Sequence, residues 1–341
     1  MKLVAKEGSA ENSLFIANKF AQKNSRISVI RQKTDAVKKI LVIVVTYNGM
    51  EWIGKCIESM IASTLLPKIM VIDNASTDET VLAVQKYPQV LLVENRENTG
   101  FGQANNIGLK YALEQQYDYV FLINQDTAVR PDMFEIMIKV HVSHPGYGIL
   151  SPLHMNGTGH QFDRHFHQCL LNGCPEYVNA SLLKQQEKPV YPIFFVNAAF
   201  WLLSRDCIEK TGGFDPLFFH RGEDNDYCNR ARFNGFQTGL CPQAAGLHFR
   251  ENRTEPSTYG NYYSTQCKDI LVHLKNPFSQ PVPIFLSTLS RIFLSGLRYL
   301  FRFRFLMTLI HWKMIAFMFR HGHKVKQSRE SERSPLSHLK I

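Results

Sequence analysis

The residues best placed to do chemistry sit where an apolar run stops. Residues 119–123 (YVFLI) read as a buried strand that ends in Asn124-Gln125-Asp126, and Pro131 then opens a helical pattern over 131–144. In an open α/β sheet, ligands bind at the carboxyl ends of strands, so a carboxylate there is where chemistry is expected. A hard cation bridging a diphosphate needs only one or two protein carboxylates, because phosphate oxygens complete its shell. Asp126 suits that role. It also suits the plain start of a turn, since Asp and Asn are common turn formers.

Two other groupings invite a chemical reading. Gly100 and Gly102 permit close backbone approach to a ligand. They fail as a dinucleotide fingerprint, because GFGQAN follows the third strand rather than the first. His160, His165, His167, Cys169 and Cys174 have ligand types that suit zinc, but their spacing matches no common zinc pattern. An acceptor-side loop is the expected role of that stretch.

Strand and helix patterns must position these residues. Residues 39–46 form a continuous apolar run typical of a central parallel strand, then Tyr47-Asn48-Gly49 break it and helical spacing covers 51–64. A second strand at 69–72 ends in Asp73-Asn74. Ser76 or Thr77 is expected to start the next helix, with Asp78 and Glu79 in its positive first turn. A third strand at 90–93 leads through the glycine stretch to a helix ending near 116. Four alternations with short connections predict a doubly wound, mostly parallel α/β sheet. Further on, strands are expected at 148–152, 194–204, 238–241 and 244–249, and helices at 206–211 and 223–234. Residues 153–190 have no clear period and read as a long functional loop or insertion.

The 341 residues suffice for one large α/β domain with appendages, and 45% apolar with 20% charged residues is ordinary for a folded protein. Seven scattered cysteines argue for free thiols in a reducing compartment. Residues 1–38 read as a loosely ordered extension without a signal-peptide pattern. The net charge of +10 is uneven: between 270 and 329 there is no Asp or Glu, and the Lys and Arg there equal the whole net charge. No 18-residue window from 283 to 323 is free of charge, so a spanning helix is not expected. As one helix at about 100° per residue, Arg291, Arg298, Arg302, Lys313 and Arg320 share a stripe of roughly 60°. A cationic stripe on an apolar helix suits a lipid headgroup layer, and a buried helical pair with arginines on its wet side is the other reading. Nucleic acid is not an expected partner, because its basic ligands interleave with polar faces.

Seven marks occur in order: VVTYN (44–48), VIDNASTDET (71–80), NTGFGQANNIG (98–108), FLINQDT (121–127), GGFDPLFF (212–219), GEDNDYCNR (222–230) and His248. Together they resemble glycosyltransferase family 2 enzymes of the GT-A fold, in the rhamnosyltransferase-like branch, over about residues 40–250. The resemblance implies sugar transfer from a nucleotide-sugar to an acceptor hydroxyl, with inversion and a divalent metal, Mn²⁺ or Mg²⁺. It makes Asp224 the catalytic base, whose pKa Glu223 and Asp226 would raise by like-charge repulsion. Asp126 corresponds to the last aspartate of a DXD-type metal motif. Asn124 stands at its first position, which leaves fewer charges on the metal. His248 matches a further metal ligand of some members, and a histidine in a strand can equally be structural. Asp73 corresponds to the reader of base and ribose, with Thr46, Tyr47 and Asn48 lining the same pocket. Asn74, Gly100, Gly102, Asn124 and Gln125 join the donor side, and Arg250 or Arg253 is a candidate phosphate ligand.

The reading is an inverting glycosyltransferase with an extension at 1–38, a GT-A domain at 39–268 and a basic, membrane-associating helical region at 269–341. The expected donor is dTDP-rhamnose or another dTDP- or UDP-sugar. The expected acceptor is a saccharide, lipid-linked, at the cytoplasmic face of the plasma membrane in cell-surface polysaccharide synthesis. The alternative is a catalytically degenerate sugar-nucleotide-binding scaffold. A nucleotidyltransferase is disfavoured, because no Gly-rich, Lys/Arg-bearing phosphate loop follows the first strand.

Overall fold

A computed structural model describes residues 38–250, 258–332, 334 and 336–339. Residues 1–37 of the expected extension, and Arg253, lie outside them. The first half alternates: β1 (Ile40–Thr46), α1 (Ile53–Ile61), β2 (Lys68–Asp73), α2 (Thr80–Gln85), β3 (Leu91–Glu94), α3 (Phe101–Glu114) and β4 (Tyr119–Asn124). These four strands pair in parallel in the order β3-β2-β1-β4. Covered on both faces, β1 is buried from Ile40 to Val44, and alternate residues enter different cores. Leu41 and Ile43 join Leu109 and Ala112 of α3. Val42 and Val44 join Ile53, Ile57 and Met60 of α1. Burying each such side chain contributes about 1.5–3 kcal/mol, which fixes the register of the strands that carry the site.

The second half is mixed. It comprises β5 (Thr127–Val129), α4 (Met133–Ser143), β6 (Ile149–Asn156), α5 (Arg164–Gly173), α6 (Pro175–Leu182), β7 (Tyr191–Pro192), β8 (Phe200–Ser204), α7 (Arg205–Thr211), α8 (Glu223–Phe233) and β9 (Thr238–His248). β8 runs antiparallel to β4 and β6, β9 runs parallel to β6, and β5 closes the edge on β9. Three expectations shift here. The 153–190 stretch is not a plain loop: Asp163 caps α5 by accepting from the Phe166 amide, and Pro175 starts α6. Each of these helices buries only two apolar side chains, Phe166 and Leu170 or Tyr177 and Ala180, too few to print a period. The strand foreseen over 194–204 begins only at Phe200. The two strands foreseen around Pro242 are one, with the extra residues taken up as an irregularity opposite Pro152/Leu153.

Beyond the sheet come α9 (Tyr259–Lys275), α10 (Pro281–Phe301) and α11 (Phe305–Ser331). The position expected as a boundary, 268/269, lies within α9. Ile270 and Leu274 of α9, Ile284 and Ile292 of α10, and Ile310, Met314 and Met318 of α11 share a core with Phe218. The single cationic stripe does not survive. Phe303, at φ 55°, turns the chain between α10 and α11, so Arg291 and Arg298 lie on one helix and Lys313 and Arg320 on the other. Close packing of the pair supplies the reason, since a Cβ at Gly296 would lie 3.2 Å from the Cβ of His311. By length and composition α10 is long and apolar enough to cross a membrane, which the charge-window argument had not expected.

Candidate active site

β1, β2 and β4 end side by side, with Thr46 opposite Asp73 and Val45 opposite Asn124. Gln125 ties the exits together: its Oε1 accepts from Thr46 Oγ1 at 2.6 Å and from the Tyr47 amide at 2.9 Å. Asn48, at φ 47°, accepts at Oδ1 from the Thr77 amide at 2.8 Å. Asp73 is buried and accepts from the Ser76 amide at 2.9 Å and from Ser76 Oγ at 2.5 Å. Ser76 is therefore spent on Asp73 and caps no helix. α2 starts at Thr80 instead, whose amide donates to Asp78 Oδ1 at 3.0 Å.

Asn74 is committed differently. Its Nδ2 donates to Asn98 Oδ1 at 2.8 Å, and its Oδ1 accepts from the Thr99 amide at 3.1 Å. It holds the 95–100 loop in place. Gly100 adopts φ 84°, and a Cβ there would collide with the Phe219 carbonyl; one at Gly102 would lie 2.9 Å from Phe214 Cβ. Both glycines thus let α3 fit the loop that leads into α8.

Asp126 follows β4 and is 4% exposed; His248 ends β9 and is 1% exposed. Pairing of Thr127 with His248 brings His248 Nε2 to 3.4 Å from Asp126 Oδ1. Asp163, from the insertion, stands behind them. Its Oδ2 is 4.0 Å from His248 Nδ1, and Arg250 grips both its oxygens at 2.7 and 2.6 Å. Burial works to raise the Asp163 pKa, but Arg250 and the Phe166 amide outweigh it and hold the carboxyl well below the usual range.

Asp224 opens α8. Gly222 precedes it in the left-handed region at φ 99°. Its Oδ1 accepts from the Asn225 amide at 2.9 Å, and the Ala198 amide also reaches it. The next residue, Ala199, offers its carbonyl to the Asn124 amide at 3.1 Å, so the 197–199 segment joins Asp224 to the exit of β4. Burial raises the pKa of Asp224; for Glu223 burial and then the Asp224 carboxylate do the same. Like-charge repulsion is thus secondary to burial, and Asp226 takes little part. It points the other way, to Arg230 Nε at 2.8 Å. Glu223 is buried, with Oε2 lacking a hydrogen-bond partner.

Thr46, Tyr47, Asn48, Asp73, Gln125, Asp126 and His248 therefore stand at the strand ends and Asp224 at the start of α8, while Asn74, Gly100 and Gly102 shape the wall behind the strand ends. The His/Cys group of 160–174 does not converge: Cys174 Sγ faces the Pro192 carbonyl at 3.5 Å and Cys169 faces Asn197 at 3.8 Å. Among the described residues, Asp215, Glu332 and His338 do converge, around the Lys275 ammonium. Sequence reasoning missed Asp163. Its only signal was a capping position ahead of an aperiodic helix.

Residues 41–212 match the profile of Glycosyl transferase family 2. The N-acetylglucosaminyl-diphospho-decaprenol L-rhamnosyltransferase of Mycobacterium tuberculosis is 25% identical over 235 residues, 62% of this chain and 76% of that protein. Among solved structures, S. aureus TarS 1–349 in complex with UDP aligns with a TM-score of 0.51 at 14% identity, over 83% of this chain and 92% of that one. GalNAc-T7 with UDP, GalNAc and Mn²⁺ aligns with a TM-score of 0.51 at 15% identity, over 73% of this chain and 52% of that one. At these identities the structures speak to the fold alone, and that fold is GT-A.

Proposed function

The chain belongs to glycosyl transferase family 2 and is a glycosyltransferase, and from that premise we propose an inverting, metal-dependent transfer of a sugar from a dTDP- or UDP-sugar to a saccharide hydroxyl. The donor sugar is rhamnose or another hexose. The acceptor is carried on a lipid diphosphate, as the name of the mycobacterial relative has it, for synthesis of a cell-surface polysaccharide. The observation that carries the reading is the placement of Asp224. A half-buried carboxyl of raised pKa is joined through 197–199 to the strand exit that holds Asp126.

Each residue then has a task. Thr46, Tyr47, Asn48 and Asp73 bind the nucleoside, with Gln125 fixing their spacing. Asp126 and His248 suit a divalent ion, because 3.4 Å between their ligand atoms is the spacing of two neighbouring ligands about 2.1 Å from one cation. Mn²⁺ or Mg²⁺ bound there would offset the charge that develops on the leaving diphosphate. Asp224 takes the proton of the acceptor hydroxyl as its oxygen attacks the anomeric carbon. Its raised pKa makes it a stronger base than an ordinary aspartate.

Membrane association rests on the hairpin of α10 and α11. Phe301, Phe303 and Phe305 are 79%, 81% and 64% exposed at its tip, with Arg298, Arg302 and Arg304 beside them. Apolar tips flanked by cations suit an anionic lipid surface, here the cytoplasmic face of the membrane. A thermal-shift panel of dTDP, UDP, GDP and CDP, with and without Mn²⁺, tests the reading. Metal-dependent stabilisation by dTDP or UDP is expected. Silence from every nucleotide would leave the sugar-nucleotide scaffold without a ligand and the transferase reading without a donor.

A further inference from the structure

We infer that Arg221 and Lys268, with His220 beside them, bind the diphosphate of the lipid-linked acceptor, at a site distinct from the donor's diphosphate at Asp126 and His248. The inference rests on the lipid-diphosphate reading above and deepens it.

The turn before α8 is built against α9. Phe218 is buried among Cys267, Ile270 and Leu271, and a Cβ at Gly222 would lie 3.1 Å from Val272. Lys268 precedes Val272 by one helical turn and shares its face, so it stands next to that turn. Arg221 holds a left-handed φ of 69°, a strained state for a residue with a side chain, and both His220 and Arg221 are exposed. The basicity of Lys268 is lowered by partial burial and then by Arg221, and that of His220 by burial, Lys268 and Arg221, which sets the three side chains close together. Glu223 is an acidic group within electrostatic reach of Lys268 and accepts from the Arg221 backbone. Arginine and lysine crowded at a solvent-open turn suit a dianionic phosphate group. Asp224 lies three residues after Arg221, so a diphosphate there would set the attached sugar beside the base.

α9 also points this site at the membrane. At its C-terminal end, the Leu274 carbonyl accepts from Arg329 at 2.8 Å, at the root of the hairpin. At its other end, Tyr262 lies within electrostatic reach of Tyr299, beside the exposed phenylalanine tip. Lys268 is six residues, about 9 Å of helix, from Tyr262. A lipid whose tail lies along the apolar tip would thus present its headgroup at the level of Lys268 and Arg221. Tyr259 and Tyr262, exposed at that end, have the amphipathic form favoured at a membrane interface.

Farnesyl diphosphate, farnesyl monophosphate and UDP with Mn²⁺ are the probes, titrated onto the full-length protein in detergent by calorimetry. The wild type is expected to bind farnesyl diphosphate more tightly than the monophosphate. Arg221→Gln and Lys268→Gln should each weaken diphosphate binding about tenfold, Arg221→Lys should recover part of it, and UDP binding should not move. Three outcomes overturn the inference in distinguishable ways. Farnesyl diphosphate affinity unchanged in the double variant sinks the site while leaving the acceptor reading intact. Equal losses for UDP and farnesyl diphosphate make these cations part of the donor site. A wild type that binds UDP but not farnesyl diphosphate removes the lipid-diphosphate acceptor itself.

Discussion

Asp226 on the first turn of α8 joins the more distant Asp215 and Glu332 in one set of carboxylates, while buried Glu223 and half-buried Asp224 on the same turn form a second set that is treated differently. Asp226 faces inward, where Arg230 lies at 2.8 Å and Lys275 Nζ at 3.5 Å, and Asp215 and Glu332 complete the cluster. Lys275 is fully buried, and its ammonium and the Arg230 guanidinium are held more firmly charged by these carboxylates than burial alone would allow. Arg230 also donates to the carbonyls of Thr211 and Gly213, each at 2.8 Å. Among the described residues, Asp224 and Glu223 on the same turn are seen in no comparable ion pair. The first set clamps the 211–215 loop, α9 and α11 onto α8. The second is left poised to take protons. Charge neutralised in the interior is structure, and carboxylates left with raised pKa at a helix start are where chemistry is proposed.

The contrast can be broken at each end. Asp224→Asn is expected to lower turnover by about 10²–10⁴-fold with nucleotide binding retained; lost nucleotide binding would sink the assignment as base. Lys275→Met leaves buried carboxylates without their cation and should cost about 3–5 kcal/mol in denaturant unfolding. A near-neutral result would mean that the cluster is not the clamp described. Asp163→Asn should weaken Mn²⁺ binding by about 10–100-fold through the orientation of His248, read by metal titration in the presence of UDP. Unchanged affinity would detach Asp163 from the site.

Acid should act with opposite sign on Asp224 and Glu223 and on Asp215 and Glu332, while Asp226, raised by burial, sides with the first pair. Asp224 and Glu223 have folded pKa values above their unfolded ones, so they cost stability at neutral pH and return it as pH falls through the raised values. Asp215 is raised by burial but lowered further by Lys275 and His338, to about 2, and Glu332 is also lowered. Their contribution is complete above the ordinary carboxylate range and lost as pH falls through the lowered values. Melting temperature should therefore rise slightly on mild acidification and then fall. Asp224→Asn should be more stable than the wild type at pH 8, with the gap closing toward pH 5; a constant gap would contradict the raised pKa. The smallest effect belongs to cations outside both sets: Arg298→Gln should weaken binding to anionic vesicles by about 1 kcal/mol.

Much of this was legible beforehand. An unbroken apolar β1 and a run ending in Asn-Gln-Asp specify parallel strands whose exits meet, because only strands covered on both faces are apolar throughout. The residues proposed to bear the chemistry, Asp73, Asp126, Asp224 and His248, stand at such exits or at a helix start, where polar residues interrupt a pattern and so stand out. Ser76 was misread as a helix cap because a hydroxyl that bonds a carboxylate three residues back looks the same in sequence. The helices at 164–182 stayed hidden because two buried side chains apiece make no period.

What the sequence determined by itself is the alternation of β1 to β4, the identity of the carboxylates and the concentration of positive charge after 270. Each follows from local pattern or composition. Only the tertiary structure decided which carboxylates are neutralised, that Asp163 and Arg250 stand behind His248, and that one cationic stripe is two halves of a hairpin. Those facts depend on side chains far apart in the chain, such as Lys275 with Asp215 or Gly296 with His311. No local spacing encodes such a meeting; close packing in three dimensions creates it.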